Sequence, residues 1–452
     1  MHAGQLCAQP NMCERITTSR RGLSIFLALV ACSASAQVIS TWTQKSLAGD
    51  SSTVGESSAA IAMDANFMFV ADNEHQKLRL FQRFPTSSCP NPLYTLDVTS
   101  SLGLPDDGDE VDLEAMAMHP VNGTNRIYWL ASHGNSEGGE VRPNRSRLFA
   151  TTVQGNGTGS PAYSLSYLGR YDHLRTDLCA WDRNNLHGRG SNYFGLAAST
   201  NSGVRSTNLN GFNLEGLCFA PDGVTAYLGF RTPLVNGSGP TTSMAQRTHA
   251  LVVPLLNMGE LVTNNPVRGP GRARFGAPLT LNLGKRGIRS MDTSYAGNYL
   301  LTAGPTGAAS SPPVAPSNFR LYTWSGNASH APIERMTTFP SGYTPEGAIL
   351  PATPIATNTV IQFVSDDDTL ACWKSFTTLA GEAIQPRLRM LAPSNNFPRF
   401  DVLLPPGQVV TIEYTTNSSD WRVLRTITNQ SQSTTVTDTT ATNADRFYRA
   451  RL

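Results

Sequence analysis

Charged side chains are scarce in this chain, 15% of residues, yet several recur at matching places. In GFNLEGLCFAPDGVTAYLGFRTPL, from Gly211 to Leu234, Glu215 begins one β-rich run and Arg231 ends the next. Antiparallel strands joined by the Pro221-Asp222-Gly223 turn set the start of the first beside the end of the second. The same layout elsewhere places Glu114, Arg289 and Glu346 at strand starts, and Asp72, Asn73, Glu74, His133, Asp366, Asp367 and Asp368 at the ends of second strands. Three chemistries suit carboxylates converging beside arginines. They can hold Ca²⁺ through oxygen ligands, with Asp366, Asp367, Glu215 and Glu346 as the metal set and the arginines taking an anionic substrate. One carboxylate, its pKa raised by its neighbours, can serve as a general acid or base. Or each Glu can pair with an Arg of the next repeat and fix its spacing. His133, in ASHGNSEGG, reads as a base or as a polar loop histidine.

Other chemistry-bearing patterns are weaker. PDDGDEVDLE, from Pro105 to Glu114, is the densest acidic run but lacks the ligand periodicity of an EF-hand, so it reads as a solvated loop between repeats. Arg268, Arg272 and Arg274 lie among Gly and Pro and read as a solvated loop. The sequence contains no HExxH, P-loop or dinucleotide fingerprint. The 35 basic and 33 acidic residues are interspersed, which excludes an electrostatic footprint for nucleic acid.

Positioning these residues falls to strands. Five segments share one layout of four short apolar runs bounded by Gly, Pro, Asn or Asp. The first spans Ser58 to Thr99 and the second Leu113 to Tyr171; the third begins LEGLCFAP, the fourth IRSMDTS and the fifth EGAILPA. In the fifth, RLRMLAP is the fourth run. Four strands recurring about every 50 residues predict an all-β fold, a β-propeller of four-stranded blades. Five blades are evident, and Asp172 to Asn210 is long enough for a sixth. There HLRTDLCAWDR spaces Leu174, Leu178 and Trp181 as a helix does, which favours an insertion. VISTWTQKSL, from Val38, reads as the outermost strand of the last blade, closing the ring. Residues 393–398 form a linker, and 399–452 a small β-sandwich with Trp421 as core anchor.

The first 36 residues read as an export signal, with Arg15, Arg20 and Arg21 before the apolar GLSIFLALVAC and Ala34-Ser35-Ala36 as cleavage site. Leu29-Val30-Ala31-Cys32 resembles a lipobox, which would attach lipid to Cys32; Ser19-Arg20-Arg21 partly resembles a twin-arginine signal. The protein is thus expected to be secreted or periplasmic, monomeric, and without a transmembrane segment after the signal. Cys89, Cys179, Cys218 and Cys372 show no zinc spacing; Cys218 reads as a buried thiol and the disulfide state of the others stays open.

From about Ser57 to Ala392 the chain resembles an uncharacterised bacterial domain-of-unknown-function family, related in layout to the esterase-like phytase propellers. The residues that carry this are SSAAIAM with VADNEHQKLRLF, DLEAMAM with ASHG and RPNRSRLFATT, FNLEGLCFAPDG with GFRTPL, LNLGKRGIRSMD with GNYLLTAGP, and PEGAI. SSDW followed by RFYRA resembles fibronectin-like C-terminal modules. The phytase link implies metal-assisted hydrolysis of phosphate or carboxylic esters. The residues themselves favour an exported propeller that binds a small-molecule or envelope ligand at a charged rim, with that hydrolase as the alternative.

Overall fold

The computed structural model describes residues 42–46, 57–83, 91–104, 110–121, 123–220, 224–263, 269–293, 299–307, 314–315, 318–336, 339, 343–350, 360–365, 372–377, 387–394, 397–403, 409–416, 420–428, 433–441 and 446–451. The expected export signal, with Cys32, lies outside these residues, as do Cys89, Asp366, Asp367 and Asp368. Two compact units emerge, one within Ala36–Gly381 and one that includes Glu382–Leu452.

The larger unit is built from strands β1 (Trp42–Ser46), β2 (Ser57–Ala62), β3 (Phe67–Asp72), β4 (Lys77–Gln82), β5 (Tyr94–Asp97), β6 (Leu113–Val121), β7 (Thr124–Ala131), β8 (Leu148–Gly155), β9 (Tyr163–Tyr171), β10 (Asn213–Phe219), β11 (Ala226–Thr232), β12 (Ala250–Leu255), β13 (Leu279–Leu281), β14 (Gly287–Thr293), β15 (Tyr299–Gly304), β16 (Arg320–Trp324), β17 (Ile333–Met336), β18 (Pro345–Ile349), β19 (Val360–Ser365) and β20 (Cys372–Thr377). Among the described residues they form five four-stranded antiparallel sheets. Four run in chain order, β2 to β5, β6 to β9, β10 to β13 and β14 to β17; the fifth is β18-β19-β20-β1. Trp42 pairs with Phe376 and Ser46 with Cys372, so the first described strand finishes the last sheet. Two distant parts of the chain thereby share one sheet.

Each sheet is apolar on both faces because each is sandwiched between two others. One buried cluster joins each neighbouring pair. Leu80 and Ala59 of the first sheet pack with Met116 and Trp129 of the second. Ala117 and Tyr128 pack with Leu217 and Leu228 of the third. Cys218 and Val252 meet Met291 and Leu301 of the fourth, and Leu300 and Leu321 meet Ala348 and Phe363 of the fifth. Ile349 and Val364 then return to Ala60 and Val70 of the first. The first strands touch in the same cycle, β2 to β6, β10, β14, β18 and back to β2. A closed cycle of four-stranded meanders around their first strands is a β-propeller. Arg83, just past β4, adds a polar clasp across the closure, its Nε donating to Gln362 Oε1 at 2.8 Å.

The helix expected after Asp172 spans Leu174–Arg183 and buries Leu174, Leu178 and Trp181 in the second-to-third cluster, so this stretch is an insertion. Cys179 and Cys218 are buried free thiols.

The boundary between units differs from the expected one. Arg387–Ser394 (β21), read as the last strand of the fifth repeat, instead pairs with β22 (Phe397–Leu403), across the stretch expected to be a linker. The edge it was expected to cover is taken by β1. With β25 (Ser433–Thr437), these strands make one three-stranded sheet; β24 (Arg422–Thr428), β23 (Val409–Thr415) and β26 (Phe447–Arg451) make another. Phe400, Val402, Val410, Ile412, Val436 and Tyr448 from both sheets form one buried cluster. Trp421 is not its anchor: it is half-buried under the guanidinium of Arg449, 4.0 Å from the ring centroid.

Gly287, at the start of β14, packs on the backbone of the preceding sheet, and a Cβ there would lie within 2.7 Å of Arg231 Cα. Backbone cannot step aside as a flexible side chain can. Gly287→Ala is therefore expected to lower stability by about 1–3 kcal/mol, the usual cost of overpacking, read as a lower denaturation midpoint with the β signal retained.

Candidate functional site

One device repeats at the same register of all five first strands. Ser57 pairs with Asp72 and Ala59 with Ala71, leaving Ser58 as the extra residue of a β-bulge. Leu113–Ala131 and Ala115–Leu130 leave Glu114, and Leu214–Phe230 and Gly216–Gly229 leave Glu215. Ile288–Ala303 and Ser290–Thr302 leave Arg289, and Pro345–Ser365 and Gly347–Val364 leave Glu346. A bulge releases one residue from the ladder and re-aims its side chain. Here it does so at the position where first strands meet. The next residue is small in every case, Ala59, Ala115, Gly216, Ser290 or Gly347, because the neighbouring sheet approaches closely. A Cβ on Gly216 would lie 2.8 Å from Met291 Cγ, and one on Gly347 would lie 3.2 Å from Ala60 N.

From the third sheet to the fifth these residues alternate in charge. Arg289 Nε donates to Glu346 Oε2 at 2.7 Å, and its Nη2 makes a second, short contact to Glu346 Oε1. The same Nε lies 3.2 Å from Glu215 Oε2, an ion pair without a hydrogen bond because its N–H is aimed at Glu346. Glu215 Oε1 accepts from Arg231 Nη1 and Asn213 Nδ2, both at 2.8 Å. Arg231 is itself the extra residue of a bulge in β11, between the Asn213–Thr232 and Leu214–Phe230 pairs. Two facing bulges therefore place this Glu and Arg together. Arg231 Nε also donates to Thr306 O at 2.8 Å, beyond the end of β15.

Glu114 is different. It is only 8% exposed, and among the described residues no donor hydrogen-bonds to it. Burial, reinforced by the charges of Glu215, Asp112 and Glu346, pushes its carboxyl well above the ordinary range, against the pull of Arg289. Glu114, Glu215 and Ser58 line a small cavity between the first strands, together with Met116, Leu217, Met291 and Asp292. Its free volume, about 10 Å³, is close to that of one water molecule. Half-buried Asp292 accepts from Ser290 Oγ at 2.9 Å, and burial pushes its carboxyl up to about 7.

Beside Glu114 lies a second ionic group. Arg145 Nη1 meets Asp112 Oδ2 at 2.7 Å, and its Nη2 makes a short contact with Glu110. Burial opposes the charge of Glu110, but the hydrogen bond and charge of Arg145 prevail and hold its pKa below the ordinary range. Burial raises that of Asp112 despite Arg145. The described end of the acidic run is thus tied down and partly buried, not a solvated loop.

Of the expected rim residues, Glu114, Glu215, Arg231, Arg289 and Glu346 do converge. His133 does not: it is fully buried with φ +58°, and its Nδ1–H donates to Ala131 O at 2.7 Å. Burial and the charges of Arg175 and Arg147 hold its pKa down to about 4, so the ring is neutral. Glu74 is exposed in the turn after β3. Asp72 ends β3 opposite Ser57, but its side chain lies outside the described residues. The expected Ca²⁺ set is also corrected. Glu215 and Glu346 are bridged by Arg289, whose guanidinium stands where a shared cation would, and Asp366 and Asp367 lie outside the described residues. Among the described residues, no three His, Cys, Asp or Glu side chains gather as metal ligands. Sequence reasoning missed Ser58, Asp112, Asn213, Asp292 and Arg145. The small residue after each bulge could have revealed Ser58. Nothing local marks Arg145, which reaches the site from a single turn at Pro143–Arg145.

No protein-family model matches the chain, and no curated protein does. Among solved structures it is similar to a streptogramin B lyase, with 6% identity, 75% of this chain and 98% of that one covered, and a TM-score of 0.30. It is also similar to the PQQ-bound aldose sugar dehydrogenase of Streptomyces coelicolor, with 8% identity, 75% and 99% covered, and a TM-score of 0.31. A hypothetical protein from Leishmania major gives 9% identity, 75% and 91% covered, and a TM-score of 0.33. The lyase and the dehydrogenase are propeller-type proteins.

Arg289→Ala would leave Glu215 and Glu346 buried without their shared cation, so a loss of about 3–5 kcal/mol is expected from chemical denaturation. Asp292 gives a pH test. Its folded-state pKa lies above the unfolded one, so its contribution is complete below the ordinary carboxylate range and is lost as pH rises towards about 7. Asp292→Asn should flatten that part of the stability–pH curve between about pH 4 and 7.

Proposed function

We propose that the chain is an exported five-bladed propeller that binds a small polar ligand in the cavity between its first strands, with a C-terminal fibronectin-like sandwich as an accessory module. The export signal and the resemblance stated for the sequence support the location and the module. The binding reading rests on one observation: Glu114, only 8% exposed, has no hydrogen-bond donor among the described residues at a cavity it shares with Glu215, while the hydrogen bonds of Arg289 and Arg231 go to Glu346, Glu215 and Thr306. Stability alone does not favour such an arrangement, because an uncompensated buried carboxyl costs free energy. A polar ligand would supply the missing partners. No feature of the site favours the ester-hydrolase alternative, since the carboxylates it would use for a metal are bridged by Arg289.

The test compares wild type and Glu114→Gln in a thermal-shift screen of small cationic, neutral and anionic metabolites. Without ligand the variant is expected to melt at the same temperature or higher. At least one compound should raise the wild-type melting temperature and lose that effect in Glu114→Gln. A screen whose hits act equally on both proteins would end the binding reading.

A further inference from the structure

Around the cycle of first strands the bulged residues read Ser58, Glu114, Glu215, Arg289 and Glu346. On one side a guanidinium separates two carboxylates: Glu215, Arg289, Glu346. On the other side the order is Glu346, Ser58, Glu114, with a buried hydroxymethyl group in the place corresponding to the arginine. The ring with its inner partners carries three carboxyls, Glu114, Glu215 and Glu346, against two guanidinium groups, Arg231 and Arg289. One carboxyl is in excess, and it is Glu114.

The cavity beside Glu114 distinguishes among cations by ligand number. Its free volume of about 10 Å³ is near that of one water molecule. That admits a compact ammonium head. Calcium takes about 6–8 oxygen ligands, which the described residues do not assemble here. An ammonium needs only acceptors for its N–H groups, and the residues that line the cavity include Glu114, Glu215 and Asp292.

We propose that this cavity takes the head of a primary alkylammonium, held by Glu114 with Ser58, Glu215 and Asp292 at its wall. The proposal rests on the binding reading above and names the ligand class. A free amine and a lysine side chain offer the same head group.

Binding has a proton balance. The groups acting on Glu114 are Glu215 from β10, Asp112 from the approach to β6, Glu346 from β18 and Arg289 from β14, with Arg145 beyond; Asp292 of β14, raised to about 7, lines the same cavity and adds to any proton release below that pH. Together with burial they favour the protonated acid. An entering ammonium favours the carboxylate, so the Glu114 proton passes to solvent and the cation takes its place. Affinity should therefore rise with pH until the amine itself loses its proton, near 10.4 for a lysine-type amine.

The test is calorimetry on the full chain with methylammonium chloride, at constant ionic strength and in two buffers of different ionisation heat. One site is expected, with release of up to one proton from Glu114 and tighter binding at higher pH. Glu114→Gln, checked by its melting curve, should weaken binding 10- to 100-fold, the loss of one charge-assisted hydrogen bond. Tetramethylammonium, which is larger and has no N–H, should not compete. Nα-acetyl-lysine amide separates the sources: binding as tight as methylammonium points to a lysine side chain, and failure of this probe alone points to a free amine. Equal heats for methylammonium and sodium, unchanged binding by Glu114→Gln, or absence of proton release in wild type across the pH range would each overturn the proposal. Should methylammonium fail while another compound depends on Glu114, only the ammonium assignment falls and the binding reading stands.

Discussion

A buried guanidinium needs opposite charge close by, and in this protein that need links three sheets. Arg289 belongs to the fourth sheet, hydrogen-bonds Glu346 of the fifth and forms an ion pair with Glu215 of the third. It can reach both only because all three residues sit on bulges at one register. A regular ladder would alternate side chains between the two sheet faces and send these groups into the apolar clusters. The bulge therefore converts a position that would face a neighbouring sheet into one that faces the centre. The small residue that follows lets the adjacent sheet close on it. Local register, close packing and ion pairing are thus one constraint seen at three scales.

Apolar packing carries the rest of the ring. Five clusters, one at each sheet-to-sheet boundary, use residues from both faces of every sheet. This is why the strand runs read as apolar throughout rather than alternating. It is also why the ring must close: an open end would expose one such face to water. Here β1, the first described strand, completes the last sheet, and the Arg83–Gln362 clasp ties the first sheet to it.

Much of this was legible in the sequence because strand grouping and strand ends are local signals. Glu215 and Arg231 could be placed together from the antiparallel layout, and Glu114, Arg289 and Glu346 joined them once the repeats were read as blades around one centre. What could not be read was pairing between distant segments. RLRMLAP looks like a strand wherever it goes; only the occupation of that sheet edge by β1 sends it to β22. The ties of Glu110 and Asp112 to Arg145 span more than thirty positions, and no spacing rule predicts them. His133 had the right distance from its strand but the wrong direction: a left-handed backbone turns its ring onto the carbonyl of Ala131. Trp421 misled because size alone suggested a core, whereas its broad face serves as a platform for Arg449.

The uneven charge of the ring sets bracing apart from binding. Bracing is satisfied where carboxylate and guanidinium alternate, and buried pairs of that kind contribute little net stability compared with apolar replacements. Fixing the register between sheets is reason enough for them. Glu114 fixes nothing of that kind, for it has no hydrogen-bonded partner across the boundary. An alanine there, like the one that follows it, would be easier to bury. That unevenness, a raised carboxyl at a cavity shared with Glu215 and Asp292, is the feature from which the proposed binding follows.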